Sequence, residues 1–182
     1  MSVKSFKTSG VGVDLAPKGL VLINTTSFSA VASQSVNDVF SATYNNYLIL
    51  FNNLTMSSDG WMNMRMRVSG ADETGANYRY QELSASSSTV AGARATGQTA
   101  WANINYAQTG NQNPNTLTIF NPFATSPTSI VSNQAPVSNG NIEVFAKSFG
   151  LNTNTSYTGF SFYPASAGPT LTGSVSVYGY NK

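Results

Sequence analysis

The chain has 182 residues, 41% hydrophobic and only 9% charged, with a formal net charge of +2. It is long enough to bury a real core, yet its surface must be built from Ser, Thr, Asn, Gln, Tyr and Gly, because charged residues usually make up about a quarter of a domain. No Lys/Arg cluster offers a footprint for nucleic acid, and the absence of Cys and His excludes disulfides, Cys/His zinc sites and Ser-His or Cys-His nucleophile pairs.

Residues 1–18 differ from the rest, with Lys4, Lys7 and Lys18 set against Asp14 and with Gly10, Gly12 and Pro17 between them. They read as an extended arm whose lysines contact a neighbour, preceding a single domain over 19–182. No apolar run there resembles a secretory signal, and none elsewhere reaches the length of a transmembrane helix. Synthesis in a cytoplasm is therefore expected, with no membrane partner.

From residue 19 onward, helical periodicity is absent and period-two alternation recurs. Strands are predicted over 19–25 and 28–33, then over 46–54, where Tyr47, Ile49 and Phe51 alternate with Leu48 and Leu50. Both faces of that strand are apolar, so it belongs near the middle of a sandwich. In "WMNMRMRV" (61–68), Met62, Met64, Met66 and Val68 share one face, and Trp61, Asn63, Arg65 and Arg67 the other. The methionines read as core filler. The arginines stand ~6.7 Å apart along the strand and need an answering charge. Asp72, Glu73 or Glu82 would supply it, with a neighbouring subunit second.

Further strands are predicted over 78–83, 100–106, 115–120, 141–149, 156–163 and 171–180, separated by turn-rich stretches at 57–60, 69–77, 109–115, 122–129 and 164–169. In 141–149, Ile142, Val144 and Ala146 share one face, and Glu143, Phe145 and Lys147 the other; Glu143 and Lys147 lie too far apart along one strand for a direct salt bridge. Many short strands with frequent turns predict an all-β fold, an antiparallel, jelly-roll-like β-sandwich.

Candidate chemistry is thin. Asp72 and Glu73 sit in a Gly-flanked loop, where they could lie near a sugar or Ca²⁺, but "DETGAN" lacks the alternating ligands of an EF-hand. A hairpin loop whose acids balance Arg65, Arg67 or Arg79 is the simpler reading. Glycoside hydrolysis needs a facing carboxylate pair, and no partner for Glu82 can be identified. No metal, cofactor or catalytic residue is expected. Among the aromatics, Phe40, Phe51, Phe160 and Phe162 read as core. Trp101, Tyr106, Tyr178 and Tyr180 suit a subunit interface as well as a core.

The stretches "GLVLINTTSFSAVASQSVNDVFSATYNNYLILF" (19–51), "MRMRVSGADETGANYRYQEL" (64–83) and "GSVSVYGYNK" (173–182) resemble a β-domain that recurs in virion proteins of tailed bacteriophages. The matching residues are Asn37, Asp38 and Phe40; Tyr44, Asn46 and Tyr47; Arg65 and Arg67; Thr74, Gly75, Asn77 and Tyr78; and Tyr178 with Gly179. None of these motifs is catalytic, and they look like turns and strands that specify a fold. The resemblance implies a non-enzymatic protein on the virion exterior, with a homotrimer as the default oligomer.

A small domain with an arm, lacking a trimerising shaft, suits a capsid decoration (cement) protein that contacts other virion proteins. The alternative is a tail-fibre or tail-adhesin tip that reads host-surface glycans through loops such as 107–115 and 150–156.

Overall fold

A computed structural model describes residues 19–110, 113, 115–138 and 141–181, and no helix occurs among them. The arm expected over 1–18, with Lys4, Lys7 and Lys18, lies outside the described residues. Period-two sequence becomes strand almost throughout. In spatial order, the larger sheet runs β1 (Leu20–Val31), β15 (Leu171–Tyr180), β3 (Asn46–Met56), β9 (Asn115–Phe120), β10 (Thr128–Gln134), β13 (Val144–Leu151), β6 (Tyr78–Ser86) and β7 (Thr89–Gln98). The smaller runs β2 (Gln34–Val36), β14 (Gly159–Pro164), β4 (Gly60–Val68) and β5 (Ala71–Asp72), with β8 (Trp101–Ala107) also paired to β4. A short ladder joins β11 (Val137–Ser138) to β12 (Asn141–Ile142).

All of these pairings are antiparallel, and together they make a β-sandwich. It is jelly-roll-like in that the chain passes from one sheet to the other repeatedly, from β1 to β2, β2 to β3 and β3 to β4, and later from β13 to β14 and back to β15.

The methionine face of β4 is core. Met62, Met64 and Met66 are fully buried against an interior that includes Tyr47, Ile49 and Phe51 of β3, Phe160 and Phe162 of β14, and Val175 and Val177 of β15. Unbranched thioethers fill the irregular space between these rings. Phe162 meets Phe28 and Phe51 edge-on at 5.2 and 5.1 Å, a favoured aromatic geometry. The two-faced strand β3 sits third in its sheet; its Tyr47 face is buried, while Leu48 and Leu50 are half-buried on the outward face.

Several motif residues act as clamps on this frame. The Tyr47 hydroxyl donates to the Ser41 carbonyl and accepts from the Ser41 amide, both at 2.8 Å, which closes the turn before β3. The Tyr44 ring lies flat against Gly179, where a Cβ would come within 2.4 Å of it, so the small residue in "YGY" makes room for an aromatic from the β2–β3 connection. Gly159 is tighter still, since a Cβ there would lie 2.2 Å from the Val36 carbonyl oxygen.

Some boundaries differ from expectation. The stretches 19–25 and 28–33 form one bulged strand, β1, with left-handed Ala30 near its end. Strand β7 occupies a stretch with no predicted element, and β10 begins inside the stretch 122–129 that reads as turn-rich.

Candidate functional site

The arginines of β4 are answered within the chain. Arg67 pairs with the Asp72 carboxylate, donates from Nη2 to the Gly70 carbonyl, and donates from Nε to Asn37 Oδ1 at 2.9 Å. Arg65 reaches Asp72 at 3.9 Å, donates to the Thr99 carbonyl at 3.0 Å, and lies 5.0 Å from the Tyr163 ring centre. Ser161 donates a further bond to Asp72 at 2.9 Å. The antiparallel register of β4 and β5, which sets Arg67 opposite Asp72, explains why this acid and not its neighbour takes both cations.

Glu73 and Glu82 do not join that cluster. Glu73 Oε1 accepts the Gly75 amide at 2.7 Å, and its Oε2 takes a long bond of 3.5 Å from the Tyr157 hydroxyl. Its carboxylate therefore serves the turn of its own loop. The buried Tyr78 hydroxyl accepts from the Met66 amide at 3.0 Å and donates to the Glu73 carbonyl at 2.9 Å, locking the loop to β4. Among the described residues, no three acidic groups converge on a point where a metal could sit.

Burial raises the hydroxyl pKa of Tyr78 above its ordinary 10.0, and burial likewise raises Tyr157 and Tyr163. A folded pKa above the unfolded value means that this contribution to stability is intact below pH 10 and is lost as pH climbs above it. Thermal melts should thus show a steep loss above pH 10 that Tyr78→Phe makes shallower. That variant should also lose ~1–3 kcal/mol at neutral pH, because the Met66 amide and Glu73 carbonyl lose their partner. An unchanged alkaline limb would show that Tyr78 is not the group responsible.

Glu82 pairs elsewhere. Its Oε2 lies 2.7 Å from Lys147 Nζ, and the lysine side chain is only 1% exposed. The β6–β13 register sets the two residues opposite each other. Lys147 also donates to the Asn103 carbonyl at 3.0 Å and lies 4.2 and 4.9 Å from the ring centres of Trp61 and Phe145. A cation between two ring faces gains from their quadrupoles once it is desolvated. Burial lowers the lysine pKa, and the bond and charge of Glu82 oppose that shift. This box is structural, because nothing of the lysine is left for a ligand.

The described amide side chains of 107–115 turn inward. Gln108, Asn113 and Asn115 are buried; Asn113 donates to Gln108 Oε1 at 3.2 Å, and Asn115 donates to the Ile104 carbonyl at 2.9 Å. Thr109 binds Asp59 through its amide at 2.8 Å. In the loop 150–156, Thr153 shares a 2.7 Å bond with Tyr157, and Ser156 bonds the Phe123 carbonyl.

Of the aromatics assigned to an interface, Trp101 is core. It is fully buried, its indole N–H donates to the Gly150 carbonyl at 3.0 Å, and its ring meets Tyr78 edge-on at 5.3 Å. Its place in β8, beneath the larger sheet, leaves it no surface to offer. Tyr106 is half-buried and packs on Trp61.

Tyr178 and Tyr180 do lie outward. The register sets Tyr178 between Leu22 and Leu48, and Tyr180 beside Leu20, on the outward face of the larger sheet. Leu20, Leu22 and Tyr180 are 46%, 55% and 37% exposed.

At the other edge of that sheet, Arg79 and Arg94 are exposed. Neither has an ion pair or a side-chain hydrogen bond among the described residues, unlike Arg65, Arg67 and Lys147. The acids of the 72–77 loop, expected to balance Arg65, Arg67 or Arg79, do not reach Arg79, because its side of β6 faces away from them. Sequence reasoning assigned no role to Arg94.

Compared with family models, curated proteins and solved structures, the chain matches none.

Proposed function

We propose that the chain is a non-enzymatic structural protein of the exterior of a tailed-phage virion, a decoration protein that attaches in many copies to the capsid. The observation that carries this reading is the outward strip of Leu20, Leu22 and Tyr180, joined through Tyr178 to Leu48. Apolar side chains gathered on one exposed sheet face favour burial against another protein. The strip begins at Leu20, close in sequence to the proposed arm over 1–18. A nearly uncharged surface also fits a protein held in a lattice better than one that must stay dispersed. The partners are other virion proteins, and a homotrimer is the proposed oligomer.

The test is incorporation into particles. Deleting residues 1–18, or substituting Leu22→Glu with Tyr180→Glu, should lower occupancy by about tenfold or more, since loss of an interface hot spot commonly costs ≥ ~2 kcal/mol. The circular dichroism of the isolated protein should not change. Normal occupancy of both variants would sink the contact, and labelling of the tail in particle images would transfer the protein to a tail adhesin.

A further inference from the structure

We propose that Arg79 and Arg94 form a binding site for a carboxylate-bearing saccharide on the outward face of β6, β7 and β13. The pairing register assembles it. Gln81 stands opposite both Arg94 and Ser148, and Arg79 stands opposite Gly150. Arg79 lies two residues from Gln81 on β6, so the two arginines share the outward face as diagonal neighbours, with a β-bulge of the β6–β7 ladder falling at Arg79.

Between them lies a depression of about 300 Å³, bordered by Arg79, Gln81, Arg94, Thr96 and Ser148 and lined also by Tyr80 and Phe149. A second depression of about 240 Å³ lies on the other side of Arg79, next to Ser129 and Asn152. Gly150 matters to this arrangement, because a Cβ there would lie 3.2 Å from Arg79 Cγ. The glycine lets the arginine stem lie across β13 with its head between the two hollows.

Charge supports the assignment. The chain carries 9 Lys and Arg and 7 Asp and Glu, so each uncompensated cation stands out. Asp59, Asp72, Glu73, Glu82 and Glu143 all accept hydrogen bonds or ion pairs elsewhere. Asp38 lies beyond β2, in the connection from the smaller sheet. Among the described residues no acid answers these two neighbouring guanidiniums, which repel each other, and a ligand carboxylate would relieve both. The guanidinium fork also matches a carboxylate bidentately. The amide of Gln81 and the hydroxyls of Thr96 and Ser148 border the same depression and offer neutral donors and acceptors beside the guanidiniums, which suits an acidic sugar better than a bare anion.

The site is independent of the apolar strip. Five strand steps separate β15 from β6, roughly 24 Å across the sheet. The accumulated twist over those steps is roughly 100–125°. The two regions therefore point in different directions, and a copy docked through Leu22 and Tyr180 keeps the arginines free.

The experiment is titration of the full chain, followed by NMR or calorimetry, with three probes: a galacturonate trisaccharide, the matching neutral galactose trisaccharide and inorganic phosphate. The acidic sugar should bind and the neutral one should not, and Arg79→Ala and Arg94→Ala should each weaken binding by about tenfold or more. Both residues are exposed, so circular dichroism should show native folds. Raising the salt concentration should weaken binding further. Absence of binding to the acidic sugar, or binding that both variants retain, overturns the proposal. Phosphate binding as tightly as the trisaccharide would overturn the saccharide assignment. None of these outcomes bears on incorporation into particles, so the virion reading stands or falls separately.

Discussion

Glu82→Ala is expected to destabilise the protein by ~3–5 kcal/mol, the usual consequence of leaving one member of a buried ion pair alone. For a domain of this size that corresponds to a fall in Tm of roughly 6–20 °C. The reason is asymmetry. Lys147 is 1% exposed and Glu82 is 13% exposed, so the lysine cannot recover water when its partner goes, whereas the glutamate partly can. Lys147→Met should consequently cost less than Glu82→Ala, and the double variant should recover most of the loss.

The pH dependence follows from the direction of the lysine shift. Burial holds the folded pKa of Lys147 below its ordinary 10.5. In the window between the two values the unfolded chain binds more protons, so stability from this group rises with pH. Removing Glu82 removes what opposes the shift, so the deficit of Glu82→Ala should shrink as the pH rises toward 10.5. A deficit constant with pH, or a double variant as unstable as Glu82→Ala, would show that the pair is not the source.

Met66→Lys is the second large effect. Met66 is fully buried, and the backbone around it joins two elements: its amide donates to the Tyr78 hydroxyl and its carbonyl accepts from the Glu73 amide at 2.8 Å. Losing a core side chain costs about 2–5 kcal/mol, and an unpaired amine adds a desolvation penalty or must shed its proton. A protein that no longer folds cooperatively at 25 °C is the expected result. Met66→Leu, close in volume, should cost less than about 1.5 kcal/mol. A near-native melt for the lysine variant would mean that the methionine face is not the core.

What the residues revealed beforehand depended on whether burial followed polarity. In β4 it does, so alternation reads directly as strand and face. It does not in β10, whose buried positions are Thr128, Ile130, Ser132 and Gln134. Three of those four are polar. Two find partners inside: Ser132 bonds Asn115 at 3.2 Å, and Gln134 bonds the Ile104 carbonyl at 2.6 Å. Strand β7 failed for another reason. It is an edge strand rich in Ala, Gly and Thr whose sides are almost wholly exposed, so no core selects apolar residues at alternate positions.

The candidate sites were less legible, because pairing between distant strands creates them. Asp72 is close to Arg67 in sequence and was foreseen as a partner. Glu82 meets Lys147 only through the β6–β13 register, and Arg79 meets Arg94 only across the β6–β7 hairpin. The alternation of Phe145, Lys147 and Phe149 carried a usable signal, since a lysine in phase with two core aromatics needs an acid opposite. Glu143, the nearest acid in sequence, instead accepts from Ser86 at 3.0 Å.

The pairing of β1 with β15 has a consequence for the birth of the molecule. β1 is an edge strand, and its hydrogen-bonded neighbour in the larger sheet is the last of the described strands, with Leu20 opposite Tyr180. At ordinary rates of translation, the first strand waits on the order of 10 s for its partner to emerge from the ribosome. Throughout that wait Leu20 and Leu22 are exposed on a strand that has nothing to pair with. Loop closure over nearly the whole chain also makes this ladder entropically late. The sandwich is therefore completed only once β15 has been made, and nascent copies made side by side risk pairing with one another before each can close on itself.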